Sequence, residues 1–248
     1  MSDGAKLLEL LWDRYAALVP YAREFQRLAG GAFRSDHVAF RSLRRRGSGV
    51  DLFAPVFERL GWRRAGTYEV PDARLLAIHL SHPEGLPRIV ISELVQDGLS
   101  YRARDVLSQL PADPAPPTEV GALAAWFRAP DVHFSEQDVI DLEEESHYGA
   151  WLLLFGREPN HFTAAVDDIE SWAGRLRDAG VPMRDEIEGA RSTALRQTAT
   201  RAAMRRVRFR GGGRDWPYAF LELAERREGY DGFTPEQLRP LVESGGIR

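Results

Sequence analysis

The chain has 248 residues, six histidines, no cysteine and a formal net charge of −4. Without cysteine there are no disulfides, thiolate zinc sites, iron–sulfur clusters or cysteine nucleophiles, so a bound metal must be held by His, Asp or Glu. The acidic balance speaks against nucleic-acid binding, and no apolar run reaches the roughly 18 residues of a membrane span.

The N-terminal stretch MSDGAKLLELLWDRYAAL lacks the basic start and long apolar core of a signal peptide, so the cytoplasm is the expected location. Lys6 is the only lysine among 33 basic residues, which leaves 33 − 1 = 32 arginines and lowers the weight of any single one. The run Arg44-Arg45-Arg46 accordingly reads as a solvated loop.

Residues 5–29 carry apolar residues at helical spacing (Leu7, Leu8, Leu11, Tyr15, Leu18, then Tyr21, Phe25, Leu28), interrupted at Pro20 and closed by Gly30-Gly31. The stretch DHVAFRSL then alternates like a strand. VDLFAPVFERLGW (50–62) predicts a helix with Asp51 as N-cap, Pro55 in its first turn and Gly61 as the stop. WRRAGTYEV, RLLAIHLS and PRIVISELV read as three strands, separated by turns at Pro71-Asp72 and HPEGLP. The order is βαβββ.

Residues 98–158 break this pattern. LSYRARDVLSQL is helical, PADPAPP (111–117) is an extended connector, and further helix follows through SHYGAWLLLFG. From Asn160 the first pattern returns. NHFTAAV reads as a strand, DIESWAGRLRDAGV as a helix, and STALRQTAT, AMRRVRFRGG and YAFLELAER as strands, with RGGG as a hairpin turn. This internal repeat is the strongest organisational signal in the chain. It predicts an α+β fold in which two βαβββ modules curl their strands into a cup. The expected layout is one catalytic domain with N-terminal helices (1–33), a first module (34–97), a helical insertion (98–158), a second module (159–228) and a C-terminal tail (229–248).

His37 and His161 are each the second residue of a module's first strand, and Glu93 and Glu222 each lie in a module's last strand. The spacings, 93 − 37 = 56 and 222 − 161 = 61, suggest equivalent places. Two imidazoles and a carboxylate that leave coordination positions open suit Fe(II) and O2 chemistry. In YAFLELAER, Leu221 and Leu223 point to one face and Glu222 to the other. A carboxylate inside an apolar strand is costly unless paired or metal-bound. Arg41 shares a face with His37, roughly 13 Å along the strand, where a guanidinium can hold a substrate carboxylate in a bidentate pair. His79 and His82 read as surface residues flanking a turn, and His147 as structural.

In order, DHVAFRSL, FERLGW, VISELV, SHYGAW, NHFTAAV and LELAER resemble signature segments of the 2-oxoadipate dioxygenase/decarboxylase family, over residues 34–230 or so. The resemblance implies a vicinal-oxygen-chelate-like fold and Fe(2+) held by His37, His161 and Glu222. It implies that Arg41 binds the substrate and that Glu93, although it matches a family glutamate, is not a primary ligand. The implied reaction is 2-oxoadipate + O2 → 2-hydroxyglutarate + CO2, a step of lysine breakdown, with a small 2-oxo acid and O2 as the partners. Two other readings stand beside it. One is a glyoxalase-like isomerase or extradiol-type enzyme on the same fold, using the set His37, Glu93, His161 and Glu222. The other is a cup that binds a small ligand without catalysis.

Overall fold

The computed structural model describes residues 1–238, so the tail expected over 229–248 falls partly outside the described residues. Helices α1 (Asp3–Leu18) and α2 (Pro20–Leu28) open the chain, and Pro20 sits at the start of α2, where its missing N–H costs nothing. The first module follows as β1 (Ser35–Leu43), α3 (Val50–Glu58), β2 (Arg63–Val70), β3 (Leu75–Ser81) and β4 (Arg88–Leu94). The insertion contributes α4 (Tyr101–Ser108), α5 (Val120–Trp126), α6 (Glu136–Glu145) and α7 (His147–Phe155). The second module is β5 (Pro159–Val166), α8 (Ile169–Asp178), β6 (Leu195–Ala199), β7 (Ala203–Phe209) and β8 (Gly212–Arg226), and a short α9 (Pro235–Leu238) ends the described chain. No helix among the described residues is long and apolar enough to cross a membrane.

The α+β fold with two βαβββ modules is as the sequence reading expected. The strands form one curled sheet in the order β2-β3-β4-β1-β5-β8-β6, with β7 on the first half of β8. Within each module the first and last strands run parallel, β1 with β4 and β5 with β8. The modules meet along an antiparallel β1–β5 seam, where Ala39 pairs with His161 and His37 with Thr163. The second module departs from the first in one respect. Its β6 and β7 both pair with the long β8. The place beside β6 is taken by an irregular stretch, with single bridges Met183–Thr200 and Glu188–Gln197.

Strand parity assigns the two faces. Phe40 packs on Phe53 and Phe57 of α3, and Phe162 on Trp12 and Tyr15 of α1, so these even-numbered residues face the outer helices, while Asp36 and Asn160 fall at the two register shifts of the β1–β5 pair. His37, Ala39, Arg41, His161 and Thr163 therefore line the inner face of the curl. The pairing of β1 with β4 runs unbroken from His37 to Leu43, so no bulge in that pair upsets this parity.

Three local expectations change. Helix α3 begins one residue before Asp51, with Gly49 as its N-cap, so Pro55 lies in the second turn rather than the first. Glu93 is not the counterpart of Glu222. It pairs with Ser42, faces outward, and accepts a hydrogen bond from Val50 N at 2.9 Å, which caps α3. Gly49 has φ +71°, and a Cβ there would run into the Glu93 carboxylate. The true counterpart is Glu225, which pairs with Val166 and caps α8 by accepting from Ile169 N at 2.9 Å. His79 is buried rather than on the surface, because β3 continues past it to Ser81 and turns its ring inward.

The insertion is anchored by the arginine-rich loop. Arg45 is half-buried, donating to the carbonyls of Leu110 and Pro111, while Arg44 and Arg46 are exposed. Helix α7 is apolar on all sides, and Tyr148 to Phe155 are all buried. It lies against the inner face of the sheet. Tyr148 Oη accepts from Ser42 N at 3.1 Å and meets Ser92 Oγ at 2.9 Å, and Trp151 Nε1 donates to the Tyr218 carbonyl.

Because Glu93 acts on a helix N-terminus, Glu93→Ala should cost about 1–2 kcal/mol in stability and leave metal binding at the inner face unchanged. Chemical denaturation and metal titration of the folded variant check both halves.

Candidate metal centre

Three inner-face side chains from three strands converge. His37 Nε2 lies 3.4 Å from His161 Nε2 and 3.3 Å from Glu222 Oε1, and His161 Nε2 lies 3.9 Å from that same oxygen. These three residues form the group suited to a metal ion among the described residues, and all are buried. Donors about 2.1 Å from one ion at angles of 90–110° would sit about 3.0–3.4 Å apart. Two of the three separations fall within that range and the third, at 3.9 Å, exceeds it by half an ångström, so the donor set fits a metal after a small side-chain adjustment. The structure brings together His37, His161 and Glu222 and leaves Glu93 on the outer face, which removes the carboxylate that a four-ligand glyoxalase-type site would need. In register, Val90 stands where the first module would carry a match for Glu222, since Arg88 pairs with His37 as Phe220 pairs with His161.

Each imidazole is oriented by the residue before it. His37 Nδ1 donates to Asp36 Oδ1 at 2.9 Å, and His161 Nδ1 to Asn160 Oδ1 at 3.0 Å. Both rings thus keep the Nε2 lone pair toward the shared point. Glu222 Oε1 accepts from Thr163 Oγ1 at 3.0 Å and from Gln197 Nε2 at 2.8 Å. Burial pushes the Glu222 carboxyl up, opposed by His37 and by these two hydrogen bonds. Burial, followed by the charges of His37, Arg41 and Arg184, pulls His161 well below the usual imidazole value and keeps it neutral, the form that binds metal.

Sequence reasoning missed Asp36, Asn160, Thr163 and Gln197. The first two carried a signal, since each precedes its histidine in the segments DHVAF and NHFTA that mark the repeat. Thr163 follows from strand parity two residues after His161. Gln197 carried none, because only the β6–β8 register places it.

Arg41 is fully buried on the same inner face. Its guanidinium lies 4.8 Å from the centre of the Tyr148 ring and 5.1 Å from that of Trp151, both on α7. Burial lowers its pKa to about 10, against the opposing influence of Tyr148, so it stays charged at neutral pH. On the other side, Phe233 brings its ring edge to His37 at 5.1 Å between centroids and stands beside His79 and Tyr68.

Comparison with known proteins bears out the resemblance and the fold class read from the sequence. A family profile described as HGLS, 2-oxoadipate dioxygenase/decarboxylase, matches residues 117–231. The chain is 26% identical over 220 residues to the chloroplastic 2-oxoadipate dioxygenase/decarboxylase of Arabidopsis thaliana, covering 77% of this chain and 58% of that protein. The chloroplastic/amyloplastic enzyme of Oryza sativa subsp. japonica is 27% identical over 219 residues, covering 77% and 59%. The chain thus matches less than two thirds of the length of these curated relatives. Among solved structures, a glyoxalase-superfamily protein of Ralstonia eutropha JMP134 superposes with TM-score 0.86 at 24% identity, covering 94% of this chain and 86% of that one. The hydroxyglutarate synthase of Oryza sativa, solved in complex with 2-oxoadipate, superposes with TM-score 0.83 at 23% identity, covering 96% and 91%. Both structural matches establish the shared fold.

His161→Ala removes one of three donors, so the variant should lose at least a hundredfold in affinity for a divalent metal. Competition with a chromophoric chelator measures this, and wild-type affinity in a folded variant would contradict the centre.

Proposed function

We propose, taking kinship with the 2-oxoadipate dioxygenase/decarboxylase family as the premise, that this chain is an Fe(II)-dependent enzyme. It would convert a 2-oxo dicarboxylic acid, 2-oxoadipate, with O2 to 2-hydroxyglutarate and CO2, as in lysine breakdown. The observation that carries the reading is the buried cluster of His37, His161 and Glu222, with the Arg41 guanidinium held on the same strand face.

His37, His161 and Glu222 would hold the ion through Nε2, Nε2 and Oε1. A bound Fe(II) supplies the redox chemistry and the open positions for the 2-oxo acid and O2. Three protein donors leave those positions, where a full set of protein ligands would close them.

The residues of the chain do the rest by binding and positioning. Arg41 would take a substrate carboxylate in a charge-assisted, bidentate pair and so fix which carbon faces the centre. Tyr148 and Trp151 hold the guanidinium in place by cation–π contact and keep water from it. Asp36 and Asn160 keep both imidazoles with their lone pairs inward, and Thr163 and Gln197 fix the Glu222 oxygen. Helix α7 covers Arg41 and the Phe233 ring meets His37, and the three donors are themselves buried, so the reacting groups would meet a dry, low-dielectric space.

The test is metal analysis combined with turnover of 2-oxoadipate under air. The expected result is one equivalent of iron per chain and equal yields of CO2 and 2-hydroxyglutarate, with turnover stopping when O2 is removed. Full anaerobic turnover would sink the dioxygenase reading, and ligand binding indifferent to metal would favour a non-catalytic cup. Arg41→Ala should retain iron but raise KM for 2-oxoadipate about ten- to a hundredfold, as for a lost charge-assisted hydrogen bond. Steady-state kinetics checks it.

A further inference from the structure

Asp36 and Asn160 occupy the same place in the two modules, and each accepts from a histidine Nδ1. Their surroundings differ. Asn160 is neutral, whereas Asp36 is a buried carboxylate gripped at two points by Arg226, with Nε to Oδ2 at 2.9 Å and Nη2 to Oδ1 at 2.9 Å. Arg88 adds a third contact, Nη1 to Oδ2 at 3.3 Å.

Arg226 does more than neutralise Asp36. It lies four residues after Glu222 on β8, with the same inward parity. Its remaining nitrogen, Nη1, donates to the Gly232 carbonyl at 2.7 Å and to that of Tyr230 at 3.4 Å. Its guanidinium lies 4.9 Å from the centre of the Phe233 ring, which meets His37. The segment that carries Phe233 is held at other points as well. Phe233 N donates to Tyr68 Oη at 3.1 Å, and Asp231 accepts from Ser81 and Arg88. One guanidinium therefore joins three things: the carboxylate behind His37, the strand that bears Glu222, and the segment whose Phe233 ring meets His37.

We propose that Asp36 and Arg226 are positioning residues of the metal centre. Asp36 sets the orientation and basicity of His37, and Arg226 locks Asp36 while fastening residues 230–233 over the centre. The inference rests on the metal-centre reading. It makes the two histidines unequal: His37 is backed by a carboxylate, and so is the stronger donor, while His161 is backed by an amide. Carboxylate partners of metal-bound histidines typically govern metal affinity ten- to a hundredfold.

The experiment uses Co2+ as the probe, because its visible spectrum reports ligand geometry without turnover. The expected result is that Asp36→Asn binds Co2+ about ten- to a hundredfold more weakly than wild type, with shifted absorption bands. Arg226→Lys, which keeps the charge but loses the fork, should lose less than tenfold in Co2+ affinity while amide exchange at residues 230–233 speeds up at least tenfold. A purely structural staple would change the melting temperature of the metal-free protein and leave the Co2+ affinity and spectrum of the folded fraction unchanged. That outcome in Asp36→Asn overturns the proposal, as does unaltered exchange in Arg226→Lys. If Asp36→Asn fails to fold, the double variant Asp36→Asn/Arg226→Met removes both buried charges together and is judged by the same affinity and spectrum. Wild-type protein that takes up no Co2+ would instead overturn the metal centre itself, and this inference with it.

Discussion

A carboxylate buried in the middle of a sheet is the constraint on which the rest of this structure depends. Taking Glu222 out of water costs several kcal/mol unless its charge is met. The groups that meet it come from different strands: His37 on β1, Thr163 on β5 and Gln197 on β6. Thr163 and Ala199 are the direct register partners of Glu222, so both neighbouring strands must pair without slip for the carboxylate to be satisfied. The two imidazoles meet only across the antiparallel seam between the modules. The donor set is thus a product of module association, and a metal ion binding there stabilises that association by linkage.

Much of this was legible in the sequence, for reasons that mark where legibility stops. Helix stripes, glycine stops and strand alternation are local, and they marked out the two βαβββ units. The matched histidines came from the repeat, and Glu222 from the apolar residues on either side of it. Glu93 went wrong because distance along the chain is not register. The stretch from the histidine of each module to its partner on the last strand is 88 − 37 = 51 residues in the first module and 220 − 161 = 59 in the second. Counting from those partners, Glu93 and Glu225 both fall at the fifth position and Glu222 at the second, on the opposite face. His79 failed differently: closeness to a turn was taken for exposure, although the strand runs two residues further. Gln197 and Arg226 depend on which strands become neighbours, and no local pattern encodes that.

The repeat is symmetric in backbone and asymmetric in chemistry. Each module supplies a histidine with a polar residue before it and a glutamate that caps its helix. Only the second adds an inward carboxylate, and only the first adds an inward arginine four residues beyond its histidine. A duplicated scaffold with unlike inner faces can offer a ligand two different ends, where identical faces would offer the same end twice.

The insertion turns that difference into a directional site. Helix α7 has no polar face to give to water, so it must be buried, and the inner face of the curl is where it lies. Its Tyr148 and Trp151 then enclose Arg41. A guanidinium in so dry a place keeps its charge, since a pKa of about 10 is still far above neutrality, and its pull on an anion is stronger there than in water. Along β1 the donor His37 and the cation Arg41 are separated by roughly 13 Å of strand, and the reach of the side chains shortens that gap. On the proposed function, a ligand engaging both would carry a chelating group at one end and an anionic group at the other, as a 2-oxo dicarboxylic acid does.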